Sequence, residues 1–177
     1  MHELASARIG RTFNQYAEGP RAALLRERLT GYLESREQAR IVIVGEAPGY
    51  RGARVSGIPF TSERQLTGSG PAEATATVVH RLLARLGLED DVLLWNVVPT
   101  HPGSATSNRR PSSREVVQGL PFTRVLAGER YVVAVGRTAH AALGGDHVRH
   151  PSHGGAEAFA DELVQLLHRG DLLPGST

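Results

Sequence analysis

Two side chains near the middle of the chain are suited to recognising a flat ligand. Asn96 interrupts the apolar run LLWNVVP at 93–99, where an amide must find hydrogen-bond partners or lower the stability of the fold. Its one acceptor and two donors match the N3–H and O4 edge of uracil; the alternative is a structural asparagine bonded to a neighbouring loop. Phe60 ends the turn-forming segment GIPF at 57–60, so its ring need not face the core. It can then stack on a base, and ordinary packing is the alternative.

A third candidate, His150, opens the polar segment HPSHGG at 150–155. An imidazole there can stabilise negative charge on a departing base. Ser152 and the glycines after it can present a hydroxyl and backbone N–H groups to a phosphate. A metal site is the alternative for His147, His150 and His153. No carboxylate or cysteine accompanies these histidines at a familiar spacing, so we expect no metal.

The segment GEAPG at 45–49 places Glu46 between glycines that let a ligand approach the backbone. No Gly-Lys-Ser/Thr follows, which argues against the phosphate loop of a nucleoside triphosphatase. The G-x-G-x-x-G spacing of dinucleotide-binding proteins is also absent. A plain turn after a strand is the remaining alternative.

These segments lie next to apolar runs that predict the elements positioning them. Four runs of β-branched and aliphatic residues end in turn signals, which predicts buried strands at Arg40–Val44, Val92–Val98, Tyr131–Val135 and His147–His150. Leucine, valine and other apolar residues at helical spacing predict helices at Pro20–Glu34, at Pro71–Leu86 and from about Gly155 to Leu167. Ser112 and Glu115 have the spacing of a capping box that begins one more helix.

Strands that alternate with helices predict an α/β fold with a mainly parallel sheet covered on both faces. We expect one domain over 1–177, in which 1–39 is a helical N-terminal extension packed on the core. Ligands of such sheets bind beyond the carboxyl ends of the strands. Each predicted strand runs into a distinctive segment, and we expect all four segments to meet at one edge: GEAPGYRG, PTHPGS, GRTAH and HPSHGG.

The composition narrows the possible functions. The 177 residues include no cysteine, which excludes disulfides, cysteine nucleophiles and cysteine-ligated metal centres. No apolar run approaches the length of a membrane span, and the N-terminus shows no signal-peptide core. We therefore expect a soluble cytoplasmic protein, associated with the nucleoid and not with a membrane.

The charge distribution favours a polyanionic partner. The formal net charge is only +2, but every basic residue is an arginine, whose planar fork suits phosphate oxygens. No acidic residue lies between Asp91 and Glu115, whereas Arg109, Arg110 and Arg114 fall in that interval. Such a cationic stretch is typical of nucleic-acid binding, with a coding bias toward arginine as the alternative cause.

Taken in order, these segments resemble the uracil-DNA glycosylase superfamily. The order is a GEAPG-type loop, a G-x-P-F segment, an Asn-x-Val strand end and a His-Pro-Ser turn, and it spans about Ile41 to Phe159. The resemblance is strongest to the branch with GEAPG loops, whose other members carry an iron–sulfur cluster. The stretch GYRGARVSGIPF at 49–60 is also similar to the single-strand-selective branch. The resemblance implies a three-layer α/β/α sandwich around a four-stranded parallel sheet.

The resemblance also implies roles for single residues. Phe60 matches the aromatic that stacks on the flipped base, Asn96 the asparagine that reads the pyrimidine edge, and His150 the histidine that supports the anionic base at O2. Ser152 matches a serine that contacts DNA. Glu46 matches the glutamate of the GEAPG branch and, if ionised, can orient water or stabilise the sugar cation.

The expected site is therefore made of three groups of residues. The catalytic residues are Glu46 and His150; the substrate-binding residues are Gly45, Ala47, Tyr50, Phe60 and Asn96; the DNA-binding residues are Arg109, Arg110, Ser152 and His153. Backbone N–H groups near Ala47 and His150 are expected to stabilise the base anion.

Two positions depart from the most efficient branch of the superfamily. The aspartate that positions water there is replaced by Ala47. The tyrosine that excludes the methyl group of thymine is replaced by Gly49, so we expect the space beside C5 of the base to be open. Tyr50 is the alternative gate, if the loop turns so that its ring enters that space.

We expect a monomeric enzyme that hydrolyses the N-glycosidic bond of uracil, or of other deaminated or 5-substituted bases, in DNA. No metal, organic cofactor or obligate protein partner is implied. Three alternatives stay open: a glycosylase for hypoxanthine or hydroxymethyluracil, a catalytically weak or inactive relative that binds lesions, and an α/β nucleotide-binding protein unrelated to repair.

Overall fold

Four parallel strands form the centre of the fold, in a computed structural model that describes residues 1–174. The strands are β1 (Ile41–Gly45), β2 (Val92–Asn96), β3 (Tyr131–Val135) and β4 (His147–Val148), and their order across the sheet is β2-β1-β3-β4. The register pairs Gly45 with Asn96 at one end of the β1–β2 ladder. The predicted parallel sheet is confirmed.

Two predicted strands are shorter than expected. β2 ends at Asn96 and not at Val98, although the N–H groups of Val97 and Val98 still donate to the carbonyl oxygens of Gly45 and Glu46. β4 ends at Val148 and not at His150, and the Arg149 N–H beyond it donates to the carboxylate of Glu162. In both cases the polar residue of interest lies at the end of its strand or beyond it.

In the part of the chain that the structure describes, eight helices surround the sheet. They are α1 (His2–Ser6), α2 (Ala22–Ser35), α3 (Ala53–Ser56), α4 (Glu63–Thr67), α5 (Ala74–Leu86), α6 (Ser113–Ala127), α7 (Gly136–Leu143) and α8 (Ala156–Arg169). The predicted helices match α2, α5 and α8 within a few residues, and the capping box of Ser112 and Glu115 begins α6. The segment GRTAH, predicted as a loop, is instead the first part of α7, whose only fully buried side chain is Ala139.

The two faces of the sheet are buried by different helices, which makes three layers. On one face Ile41 and Ile43 pack against α5 and α8, through residues such as Leu82 and Leu163. On the other face Val42, Val44, Leu93 and Trp95 pack against Leu25 and Leu29 of α2, Ala139 of α7, and Leu4, Ile9 and Tyr16 of the N-terminal segment. Alternate residues of a strand point to opposite faces, so the apolar runs of β1 and β2 supply both cores.

The open edge of β2 is covered by a side chain from α2. The outward-facing N–H of Leu94 donates to the hydroxyl oxygen of Tyr32 over 2.7 Å. Burial raises the pKa of Tyr32 to about 12, so the hydroxyl is uncharged at neutral pH. Within residues 1–174, no helix is long and apolar enough to cross a membrane.

Candidate active site

A cavity of about 810 Å³ lies at the carboxyl end of the sheet. Its walls come from the segments that follow all four strands, as the sequence predicts for a parallel sheet. The predicted site residues that line it are Glu46, Ala47, Phe60, Asn96, Arg109, Arg110, His150, Ser152 and His153. The structure therefore brings together most of the residues singled out by their types.

Phe60 and Asn96 meet above Gly45, at the bottom of the cavity. Phe60 has a φ of +53° and is 7% exposed, and its ring belongs to the core cluster on the α5 side of the sheet. The expectation that it need not face the core is wrong, because the ring fills the space over Gly45. One part of the ring packs in the core, and another lines the cavity.

Gly45 is the position at which a single methyl group should disturb this arrangement. A Cβ atom at residue 45 would lie 2.4 Å from Cζ of Phe60 and 2.9 Å from Oδ1 of Asn96. We expect Gly45→Ala to lower the rate of base excision about tenfold by displacing both side chains, in a protein that still folds. Single-turnover kinetics and a thermal melt measure the two effects.

The matched control is Gly31→Ala, in the middle of α2, where a Cβ atom meets nothing within 4 Å. Replacing a helical glycine by alanine should stabilise the fold by about 0.5–1 kcal/mol without changing the rate. Full activity in Gly45→Ala would mean that neither Phe60 nor Asn96 needs its present position.

Asn96 presents its amide to the cavity although it is only 4% exposed. The hydroxyl of Thr123 reaches the backbone carbonyl of Asn96, and the amide group itself has no hydrogen-bond partner among the described residues. The structural alternative required a bond to a neighbouring loop. An unpaired, nearly buried amide that faces a cavity is instead typical of a ligand-binding group.

His150 is held in one protonation state by its own loop. The backbone N–H of Ser152 donates to Nδ1 of His150 over 3.2 Å, and the Ser152 hydroxyl lies 2.8 Å from the same nitrogen. Since a backbone N–H can only donate, Nδ1 accepts and the ring proton lies on Nε2. Burial lowers the pKa of His150 more than the nearby Glu46 carboxylate raises it, so the neutral ring is favoured at pH 7.

Ser152 is engaged by histidines on both sides. Its hydroxyl lies 3.0 Å from Nδ1 of His153, an exposed residue with a φ of +53°. The hydroxyl that the sequence suggested for a phosphate therefore already orients the imidazole of His150. Its backbone N–H has the same role.

Glu46 faces His150 across the cavity and is fixed by a residue that the sequence did not single out. The hydroxyl of Thr138, in the first turn of α7, donates to Oε2 of Glu46. The Ala47 N–H beside it has no acceptor within residues 1–174, and Ala47 lines the cavity. The segment GRTAH is unusual in the sequence, but nothing there pairs its threonine with a carboxylate 92 residues earlier.

The prediction that the space beside Gly49 is open is wrong. The carboxyl group of Glu73, at the N-terminal end of α5, occupies that space: a Cβ atom at Gly49 would lie 2.1 Å from its Oε1. Tyr50, the alternative gate, is absent from the residues that line the cavity, and the guanidinium of Arg51 lies 5.3 Å from the centre of its ring. Burial raises the pKa of the Glu73 carboxyl.

Contacts from the segment after β2 hold the first loop in place. His101 is fully buried and its two ring nitrogens lie 2.7 Å from the carbonyl oxygen of Pro48 and 2.8 Å from that of Ser104. The Tyr50 N–H donates to Oδ1 of Asn108 over 2.9 Å. The cavity wall formed by residues 46–50 is therefore held in position by hydrogen bonds to residues outside the four motifs.

The arginines of the cationic stretch have different environments. Arg109 makes a bidentate ion pair with Glu115, at 2.7 and 2.8 Å, which contributes most to lowering the pKa of Glu115 to about 2. Its charge is thus largely compensated. Arg110 is exposed at the cavity rim, and no carboxylate of the described chain pairs with it. Two arginines outside the cationic stretch, Arg137 and Arg149, are also exposed at the rim and unpaired among the described residues.

The residues available do not fit a metal cluster. The branch of the superfamily with GEAPG loops holds its iron–sulfur cluster through cysteines, and this sequence contains none. Among residues 1–174, no three histidine, aspartate or glutamate side chains are placed to hold a metal ion. His147 instead stacks on His140, with ring centroids 3.8 Å apart.

Comparisons with known proteins agree with this architecture. The sequence matches the profile of the Uracil DNA glycosylase superfamily over residues 33–173. The crystal structure of wild-type Pedobacter heparinus SMUG2 is similar, with a TM-score of 0.71 and 14% sequence identity over 96% of this chain and 95% of that one. At this identity the likeness supports the fold alone. A search of curated protein sequences found no match.

Proposed function

Because this chain belongs to the uracil-DNA glycosylase superfamily, whose members are DNA glycosylases that act on damaged bases, we propose that it hydrolyses the N-glycosidic bond of uracil in DNA. The observation that carries the proposal is the unpaired amide of Asn96, facing a cavity lined by Phe60, Glu46 and His150. An amide edge, an aromatic surface, a neutral imidazole and a carboxylate are together suited to this reaction.

The base has to leave the DNA helix before it can reach this cavity. Flipping a base costs a few kcal/mol, and less if the base is mispaired or in a single strand. Once inside, uracil would stack on Phe60, while the Asn96 amide donates to O4 and accepts from N3–H. A base with an amino group at position 4 presents the opposite pattern, which supports selection of uracil over cytosine.

Negative charge develops on the base as its bond to the sugar breaks. Nε2–H of His150 and the free N–H of Ala47 are the donors that would stabilise this charge. A neutral imidazole donates one proton into a hydrogen bond, and the contacts of Ser152 hold the ring in that tautomer. The electron pair of the C1′–N1 bond leaves with the base, which then takes up a proton.

Water completes the reaction by adding to C1′ of the sugar. Glu46, oriented by the Thr138 hydroxyl, would accept a hydrogen bond from this water and stabilise the positive charge of the sugar. The oxygen of water bonds to C1′ and its proton passes to Glu46 or to solvent. Glu46 thus takes the role that an aspartate at position 47 has in the most efficient branch.

A panel of labelled oligonucleotides tests the proposal directly. Single-turnover incubation with uracil, hypoxanthine, 5-hydroxymethyluracil or an undamaged base, followed by alkaline cleavage, should give strand scission for uracil. Scission for hypoxanthine alone would assign the enzyme to that lesion. Tight binding of the uracil strand without scission would instead support the inactive lesion-binding relative.

The unpaired arginines at the cavity rim indicate where the phosphate backbone would run. We expect Arg110→Ala, Arg137→Ala and Arg149→Ala each to weaken DNA binding and to lower the slope of log K against log salt concentration by about 0.7–0.9. Arg85→Ala, in the last turn of α5 and exposed, is the matched control and should change neither quantity. Fluorescence anisotropy at several salt concentrations gives both values, and an equal loss in all four variants would contradict this path.

A further inference from the structure

Glu73 is a carboxylic acid in the cavity wall that the proposed mechanism does not use. It precedes α5, and its side chain lies over the turn at 49–52. Cβ atoms added at Gly49 and Gly52 would lie 2.1 Å from its Oε1 and 1.9 Å from its Oε2. The two glycines therefore make room for this carboxyl group, which takes the place of a side chain on the turn.

This carboxyl group has no hydrogen-bond or ionic partner in the part of the chain that the structure describes. The Glu73 residue caps α5 without a side-chain bond to the helix, and only its backbone carbonyl is engaged, by Thr77. A partly buried carboxyl group that neither pairs with an arginine nor accepts a bond from its helix is not explained by folding. Its unused donor and acceptor capacity faces the cavity.

The contacts of the turn at 48–52 place Glu73 on the β2 side of the cavity. Asn96 ends β2, at one edge of the sheet, and His150 follows β4, at the other. The Gly49 turn lies on the β2 side, because Pro48 and Tyr50 are held by His101 and Asn108 of the segment after β2. In the proposed binding mode, with O2 toward His150 and O4 toward Asn96, C5 is the next ring atom after C4 and would lie on this side, toward Glu73.

From this placement we infer that Glu73 determines specificity at C5 of the base, by accepting a hydrogen bond from a polar substituent and disfavouring an apolar one. The inference rests on the proposed function. A hydroxymethyl group at C5 can donate to the carboxyl group, whereas the methyl group of thymine would cover it and leave it without a partner. The hydrogen of uracil leaves room for water there.

The test compares two substitutions of similar size in the full chain. Glu73→Gln keeps a group that accepts a hydrogen bond, and Glu73→Leu removes it. We expect the wild type and Glu73→Gln to excise 5-hydroxymethyluracil faster than thymine, and Glu73→Leu to reduce that ratio about tenfold or more. Uracil excision should change only a few-fold in either variant, since Asn96 and His150 are unaffected.

The outcomes separate this inference from the proposed function. If all three proteins excise uracil and the ratio falls equally in Glu73→Gln and Glu73→Leu, Glu73 only fills space and the inference is overturned. An unchanged ratio in Glu73→Leu overturns it too. If the wild type excises none of the three bases, the proposed function fails and the inference fails with it. Thermal melts identify a variant that is unfolded, and Glu73→Ala then replaces Glu73→Leu in the same comparison.

Discussion

Asn96→Asp should lower the rate of uracil excision by about 10²-fold or more. In the proposed binding mode the amide would donate to O4 and accept from N3–H, and an ionised carboxylate could do only the second. In addition, the new negative charge would lie in a nearly buried position beside a base that is itself becoming an anion. Single-turnover kinetics under saturating enzyme measure the chemical step and exclude an effect on DNA binding.

Asn108→Asp is the matched control for this charge. Asn108 lines the same cavity, and its Oδ1 accepts from the Tyr50 N–H, which a carboxylate can do equally well. We expect this variant to retain activity within a few-fold. A similar loss in both variants would mean that added negative charge, and not base recognition by Asn96, slows the reaction.

His150→Ala should lower the rate of the chemical step by about 10²-fold, with a much smaller effect on DNA binding. The donor on Nε2 is needed most when charge develops on the base, so its loss raises the barrier more than it weakens the ground-state complex. His153→Ala removes a neighbouring exposed histidine and should leave the rate almost unchanged. Equal losses in binding and rate for His150→Ala would make the turn at 150–152 a phosphate-binding element.

The wild-type pH profile tests the tautomer of His150 separately. Because burial lowers its pKa below the usual 6.5, the ring stays neutral at pH 7 and gains its proton only under more acidic conditions. A proton on Nδ1 would break its bond from the Ser152 N–H. We therefore expect the rate to be constant above neutral pH and to fall as the pH falls through this lowered pKa. A rate that rises with acidity would show that the imidazolium is the active form.

Local patterns were enough to predict the sheet and the edge at which the candidate cavity lies. β-branched runs identify β1 and β3, and parallel strands necessarily bring their carboxyl ends to one edge. Asn96 was visible because an amide is unusual inside an apolar strand. His150 and Glu46 could be predicted as site residues because they lie in segments typical of a known superfamily. Such signals are contained within a few neighbouring residues.

The features that the sequence did not predict all depend on pairs distant in the chain. Thr138 reaches Glu46 across 92 residues, and the Glu73 carboxyl reaches Gly49 from the start of a different element. A polar side chain near the start of a helix can point either into solvent or into a cavity. The direction in which the helix starts decides between the two. Helix starts are poorly defined by periodicity, as α7 illustrates: its turns bury little beyond Ala139.

The covered edges of the sheet affect the tendency of separate copies of this protein to aggregate. An exposed strand edge is a template on which another chain can add a strand and begin to aggregate. On the β2 edge, the Leu94 N–H donates to the Tyr32 hydroxyl. On the other edge, β4 has only two residues, and the next N–H, that of Arg149, donates to the carboxylate of Glu162. Neither edge therefore offers a long row of free backbone groups, and strand addition between crowded copies is disfavoured at both.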